Sequence, residues 1–318
     1  MTVVALAGGV GAARLLRGLV QVVAPSDVTA VVNTGDDTEL HGLHISPDLD
    51  TVCYTLAGRN DESRGWGLRH ETWTAMDALE ELGGETWFRL GDSDLATHLY
   101  RTQRMSEGAP LSTVTAEIAE RMGVAVRLLP MTDEPVRTWL RLVSDQREVP
   151  FQDYFVRLRH SVAVSAVRFD GADRAAPAPG VVEAIDGAEV VVISPSNPVV
   201  SIGPILAMPA ITAALRRRRD QVVAVSPLVG GAALKGPADR LLVELGEEAS
   251  SAGVARRYTE VCGTLVIDER DRADEESVAA LGMRCVVAPT VMSGPGEAAA
   301  LAKVALEAGR THGSGKRP

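Results

Sequence analysis

The sequence predicts an α/β fold with a doubly wound, mainly parallel, Rossmann-like sheet, and two observations predict it. Six short runs rich in β-branched and aliphatic residues stop abruptly at Gly, Pro, Asn, Asp or Ser: 3–7, 28–33, 190–194, 221–226, 264–268 and 284–288. Continuous apolar runs of this kind suit strands covered on both faces, as in a parallel sheet between helices. Helical periodicity fills the intervals, at 12–23, 202–219, 238–245, 253–261, 275–281 and 295–309. Strand–helix alternation is what a doubly wound sheet requires.

The middle of the chain breaks that alternation. Residues 51–122 carry helical patterns, clearest at 72–82, 95–105 and 113–122. Residues 126–183 read as short strands, at 139–144, 151–155 and 161–169, joined by polar turns. The organisation expected is a first part of the core at 1–50 and a helical, then β, insertion at 51–186 that caps the sheet edge. The second part of the core follows at 187–309, with a disordered tail at 310–318.

Composition excludes several function classes. With 42 acidic and 32 basic side chains the 318-residue chain carries a formal charge of −10, so it lacks the basic face that nucleic acid or a membrane surface needs. An anionic substrate would need a local cluster of cations and backbone N–H groups. Cys53, Cys262 and Cys285 are far apart and show no C-x-x-C spacing, which speaks against a zinc site or a disulfide framework. The N-terminal residues have neither a basic nor a long apolar region, and no apolar run approaches a membrane span. The expectation is a cytoplasmic protein.

Six segments fall where predicted strands end or helices open, the edge of an open α/β sheet where ligands bind. Gly8-Gly9-Val10-Gly11 joins the first strand to the first helix; it is either a tight turn or an anion cradle. It lacks P-loop spacing, and Arg14 stands where a dinucleotide fingerprint wants its third small residue. Arg14 and Arg17 lie on the following helix, facing either the site or solvent. Asn33-Thr34-Gly35-Asp36-Asp37 offers adjacent carboxylates for a ribose hydroxyl or a metal, or as caps. In Ser46-Pro47-Asp48-Leu49-Asp50-Thr51 the proline predicts an extended approach that sets Asp48 and Asp50 on one side. Paired there, they suit Mg²⁺ beside substrate phosphates, and one of them can accept a proton from an attacking hydroxyl. Otherwise they cap a helix.

Arg89-Leu90-Gly91-Asp92-Ser93-Asp94 precedes a helix holding His98, which Asp92 or Asp94 can cap. Ser194-Pro195-Ser196-Asn197-Pro198 runs into Ser201-Ile202-Gly203-Pro204, a rigid turn with several N–H donors. Ser226-Pro227-Leu228-Val229-Gly230-Gly231 leads to Lys235-Gly236-Pro237, and Lys235 suits a phosphate.

As a set, and in this order along nearly the whole chain, these segments resemble the 2-phospho-L-lactate transferase family of deazaflavin coenzyme F-420 biosynthesis. The resemblance implies a guanosine diphosphate-activated donor carrying a phospho-three-carbon acid, 2-phospholactate or enolpyruvyl phosphate. It implies the deazaflavin precursor Fo as acceptor through its ribityl hydroxyl, release of GMP, a requirement for Mg²⁺, and a homodimer. Asp50 matches the family's acidic residue at the acceptor hydroxyl and metal, with Asp48 beside it. Arg89 matches a cationic contact to the deazaflavin. The loops bearing Gly8, Gly9, Val10, Gly11, Ser194, Ser196, Asn197, Ser226, Gly230 and Lys235 match segments that cradle nucleotide and acceptor, together with Asn33, Asp36, Asp37, Asp92 and Asp94.

The chain departs from the family pattern at Arg14, where Lys is common, and at Ser93, where Arg is common. Ala12 and Ala13 replace a more glycine- or proline-rich form of the first loop. Two other readings compete. An NAD-dependent dehydrogenase would use the glycine turn with Asp36 or Asp37, although the glycine spacing is imperfect. A non-catalytic nucleotide-binding module would need the loops without the Asp48 and Asp50 pair.

Overall fold

In the computed structural model the described residues are 1–310. Arg310 still belongs to the last helix; the rest of the expected tail, 311–318, lies outside the described residues. The chain opens with β1 (Val3–Ala7), α1 (Gly9–Leu19) and β2 (Val28–Val32), then a hairpin of β3 (Thr38–Leu40) and β4 (Leu43–Ile45). Four helices follow: α2 (Pro47–Leu56), α3 (Thr74–Glu81), α4 (Asp92–Ser106) and α5 (Leu111–Arg121). Next come β5 (Arg127–Pro130), β6 (Arg137–Leu142), β7 (Glu148–Pro150), β8 (Val164–Asp170), α6 (Val181–Gly187) and β9 (Val190–Ile193). The C-terminal half contains α7 (Gly203–Leu206), α8 (Pro209–Arg217), β10 (Val222–Val225), β11 (Leu228–Val229), β12 (Ala232–Ala233) and α9 (Ala238–Glu244). It closes with α10 (Ser251–Tyr258), β13 (Thr264–Ile267), α11 (Glu275–Ala280), β14 (Arg284–Val287) and α12 (Pro295–Arg310).

Seven strands form one sheet in the order β14-β13-β10-β9-β1-β2-β5, and every neighbouring pair is parallel. The sheet is buried on both faces because each face meets helices. Val4, Leu6, Val191 and Ile193 pack into one core, and Val3, Ala5, Ala7, Val190 and Val192 into the other. That two-sided burial is why the strands read as unbroken apolar runs rather than as alternating ones. On the second face α1 and α12 cross closely: a methyl at Gly18 would lie 2.2 Å from the Ala298 carbonyl oxygen.

All six expected sheet strands are present, and a seventh comes from inside the stretch read as insertion. Arg127–Pro130 pairs with β2 at the sheet edge; four residues carry too little pattern to separate it from the strands that follow. Those strands, β7-β6-β8, make a small antiparallel sheet of their own. Residues 151–155, expected extended, are helical instead, ending in the wide turn Asp153–Arg157. Phe151 and Phe155, four apart, stack at 5.3 Å, a pairing that only helical spacing provides. The single helix expected at 202–219 is two, because Met208 precedes Pro209 and is held extended at ψ 115°. No described helix is long and apolar enough to cross a membrane.

Candidate active site

The carboxyl ends of β9, β1 and β2 stand side by side, about 4.8 Å apart per strand, and bring three of the expected segments together. Ser194 N–H donates to the Leu6 carbonyl at 3.1 Å and Asn33 N–H to the Ala7 carbonyl at 2.9 Å, tying both neighbouring turns to the strand that ends just before Gly8. The glycine turn forms the first turn of α1, with Gly9 at φ +67°. Its glycines are there for contact: a methyl at Gly11 would lie 2.1 Å from the Pro195 carbonyl oxygen. One at Gly8 would lie 2.7 Å from Ser201 Cβ and 2.9 Å from Asp48 Oδ2. Any side chain at either position would push the three turns apart.

Pro47 does not extend the chain before the acidic pair. It occupies the first turn of α2, where its fixed φ suits a helix and its missing N–H is no loss. Two residues apart on a helix are separated by roughly 200° rather than sharing a side, so Asp48 and Asp50 diverge. Asp48 turns to the glycine loop: it accepts from Asn33 Nδ2 at 2.9 Å and from the Gly9 N–H. The same Asn33 amide donates to Asp36 Oδ1 at 3.3 Å. Burial pushes the Asp48 carboxyl up to about 7, with Asn33 opposing and Asp37 adding to the rise. Burial, then the charges of Asp48 and Asp37, raise Asp36 as well. Asp37 is already engaged, accepting from Ser46 Oγ at 2.8 Å and facing His44 Nε2 at 3.0 Å. Asp36 and Asp48 are therefore a close acidic pair with no cation bonded to it among the described residues.

Asp50 faces α4 and has one. Both terminal nitrogens of Arg101 donate to its carboxylate, Nη1 at 3.2 Å, and Arg101 is 1% exposed. His98 Nδ1 lies 3.7 Å from Asp50 Oδ2, and His98 Nε2 3.4 Å from Asp94 Oδ2. Tyr54 Oη donates to Asp94 at 2.5 Å. Burial raises Asp50, opposed first by Arg101 and then by His98. At Asp94 burial also pushes upward, but His98 and Tyr54 outweigh it and the carboxyl ends below its ordinary value. Asp50, Asp94 and His98 each offer a ligand atom within 4.8 Å of the others, a grouping compatible with a divalent metal. Arg101 was missed by the sequence reading. Its signal was the spacing 94, 98, 101, one face of a helix.

The remaining expected residues divide. Ser194 and Ser196 lie on the rim beside the glycine turn, buried, with hydroxyls that have no hydrogen-bond partner among the described residues. Asn197 is used locally: its side-chain Oδ1 accepts from the Val199 and Val200 N–H groups at 2.9 and 3.3 Å. Ser226 Oγ accepts from Leu228 N–H at 3.2 Å inside its own turn. The Gly230 N–H, with that of Gly231, donates to the Asp271 carboxylate at 3.0 and 2.9 Å, so this nest is filled by the protein itself. Lys235 reaches across to the glycine turn: a methyl at Gly65 would touch both its Nζ, at 2.9 Å, and Val10. Asp92 caps α3 rather than its own helix, accepting from Thr74 and Ala75 N–H at 3.0 and 2.9 Å; the Thr72 hydroxyl, first, and these N–H groups lower it to about 2. Glu71 caps α4 in return, through Ser93 and Asp94 N–H. Arg89 pairs with Asp77 and lies over the Trp73 ring at 5.4 Å.

The profile of the family described as 2-phospho-L-lactate transferase CofD matches residues 3–291. A phosphoenolpyruvate transferase of Streptomyces griseus is 46% identical over 311 residues, covering 96% of this chain and 98% of that one. A phosphoenolpyruvate transferase of Kitasatospora aureofaciens is 47% identical over 315 residues, covering 96% and 97%. Among solved structures, a member of the UPF0052 family from Bacillus halodurans superposes with a TM-score of 0.63 at 17% identity, covering 96% and 98%. That likeness bears on the fold alone.

Proposed function

The chain belongs to the 2-phospho-L-lactate transferase family, and from that premise we propose that it moves an enolpyruvyl phosphate group from a guanosine diphosphate-activated donor to the ribityl hydroxyl of the deazaflavin precursor Fo. The phosphoenolpyruvate transferases that it resembles at 46% and 47% identity favour enolpyruvyl over the lactyl group. In the reaction the acceptor oxygen bonds to the donor's terminal phosphorus, the bond from that phosphorus to the bridging oxygen breaks, and GMP leaves with the electron pair. The acceptor hydroxyl gives up its proton.

The observation that carries this reading is the rim itself. An uncompensated acidic pair, Asp36 and Asp48, stands against the glycine turn, and Ser194 and Ser196, whose hydroxyls have no partner among the described residues, flank Pro195 where it meets Gly11 of that turn. Phosphoryl transfer needs position and charge neutralisation more than covalent help, and these are the groups that supply them.

The acidic pair fits Mg²⁺, a hard cation that takes oxygen ligands and substrate phosphates together. Asp48, with Asp36 beside it, would hold it, and the ion would neutralise the donor diphosphate. Asp50 serves the acceptor: Arg101 keeps its carboxylate fixed, leaving it to orient the attacking hydroxyl and take its proton. A second reading places the metal between Asp50, Asp94 and His98, on the strength of their spacing. Against it, Asp50 is already neutralised by Arg101, and a histidine ligand suits Mg²⁺ poorly.

Mass spectrometry of the product formed from purified protein, Fo, Mg²⁺ and each candidate donor tests the reaction directly. The enolpyruvyl diester is expected, and no product from any guanosine diphosphate donor would reject the proposal. Asp50→Asn should lower turnover far more than donor affinity; equal turnover in variant and wild type removes Asp50 from the chemistry.

A further inference from the structure

A second feature adjoins the glycine turn at Val10, in a cleft that Asp48 does not line. Val10, Arg14 and Arg17 of α1 form one wall of a cleft of about 120 Å³; Thr55, Asn60, Glu62 and Gly65 form another, and 292–295 with Ala298 close it. Its lining holds two cations and one acid. Arg17 is paired with Glu62 at 2.5 Å. Arg14, half-buried, makes no hydrogen bond or ion pair among the described residues, and Glu62 feels it only after Arg17. Lys235 Nζ reaches over Gly65 from the far side, next to Val10. In a chain of net charge −10, an excess of cations in a cleft that opens on a glycine turn is a local reversal of sign. The N-terminus of α12 adds little, because its own Glu297 lies against Gly294.

We propose that this cleft is a phosphate subsite in which Arg14 is the recognition residue, and that it takes the phosphate of the departing nucleoside monophosphate. The inference rests on the transfer reaction proposed above and adds where the leaving group is held. Volume limits the occupant: the cleft has room for roughly four waters, well below the roughly 300 Å³ of a pocket for a whole small ligand. A phosphate fits inside it; a nucleoside would have to extend out of it. Position decides which phosphate. The reacting phosphorus must lie toward Asp48 and Asp50, so a group on the Arg14 side of Val10 belongs to the part that leaves. There the guanidinium fork offers paired, charge-assisted hydrogen bonds to phosphate oxygens.

Calorimetric titration of GMP and of guanosine into wild type, Arg14→Gln, Arg14→Lys and Arg17→Gln tests the subsite. Arg14→Gln should weaken GMP by roughly tenfold to a hundredfold and leave guanosine unchanged. Arg14→Lys, which keeps the charge without the fork, should fall between, and Arg17→Gln should lose least because Glu62 already occupies Arg17. GMP affinity in Arg14→Gln within twofold of wild type overturns the subsite, and so does an equal loss for guanosine. Thermal unfolding separates a misfolded variant from a binding defect; if Arg14→Gln does not fold, Arg14→Lys is judged by the same comparison. If wild type binds no guanine nucleotide, the proposed reaction fails instead. Inorganic pyrophosphate then decides the subsite: binding lost in the Arg14 variants sustains it, and no binding ends it.

Discussion

Replacing Arg101 with Met strands the Asp50 carboxylate, and the structure sets the size of the effect. Arg101 is 1% and Asp50 5% exposed, and both terminal nitrogens of the guanidinium are committed to that carboxylate. Breaking a buried pair from one side removes the attraction and leaves the desolvation, a loss of about 3–5 kcal/mol, or on the order of 10 °C in unfolding midpoint. The loss must depend on pH. Burial already raises Asp50, and Arg101 is the strongest influence holding it down, so the variant's carboxyl rises further. A carboxyl raised by folding holds a proton that the unfolded chain releases, so its stability falls as pH climbs through the folded value. Arg101→Met should therefore lose more at about pH 8 than at about pH 5. Adding Asp50→Asn should restore part of the loss, because no charge is then stranded. Urea unfolding followed by circular dichroism measures all three. A loss below about 1 kcal/mol, typical of an exposed pair, or one that does not vary with pH, would refute the buried pairing.

The acidic pair makes further predictions. With Asp48 raised to about 7, metal-free wild type should lose stability relative to Asp48→Asn as pH rises from about 4 through 7, by on the order of 4 kcal/mol; paired thermal-melt series should show it, and Mg²⁺ should flatten the difference. A difference that does not change over this range would show that the carboxylate is compensated. Asp48→Asn should weaken Mg²⁺ binding more than Asp94→Asn does; the reverse order in calorimetry would move the ion to the Asp50, Asp94 and His98 group. Gly11→Ala drives a methyl to 2.1 Å from the Pro195 carbonyl, so it should cost about 1–3 kcal/mol and weaken nucleotide binding. A neutral result in melting and titration would mean that the two turns do not interlock.

What the sequence made legible follows from what it repeats. Strands such as 190–193 and 222–225 are apolar at every position because helices cover both faces, and that pattern survives without coordinates. The glycine turn was visible because glycine reports backbone constraint: Gly8 and Gly11 are small where Ser201 and Pro195 press against them. Direction was not legible. Pro47 fits an extended segment and a helix start equally well, and the difference sends Asp48 to Asn33 and Asp50 to Arg101. Nor could local pattern show that the donors of the Gly230 nest are already satisfied, because Asp271 stands 41 residues away in the chain.

That divergence of neighbouring aspartates gives the rim its logic. On the proposed reaction, had Asp48 and Asp50 faced the same way, one metal would claim both, and no carboxylate would be left for the acceptor. A helical first turn instead assigns one to the glycine loop and the other to a buried arginine. The glycine turn then lies between an acidic side, at Asp36 and Asp48, and a cationic side, at Arg14 and Lys235. A diphosphate laid along it would meet cation directly at one end and only through a metal at the other. On this argument the bond that breaks is the one bridging the two sides, and Arg14→Gln combined with Asp48→Asn should abolish transfer more completely than either change alone.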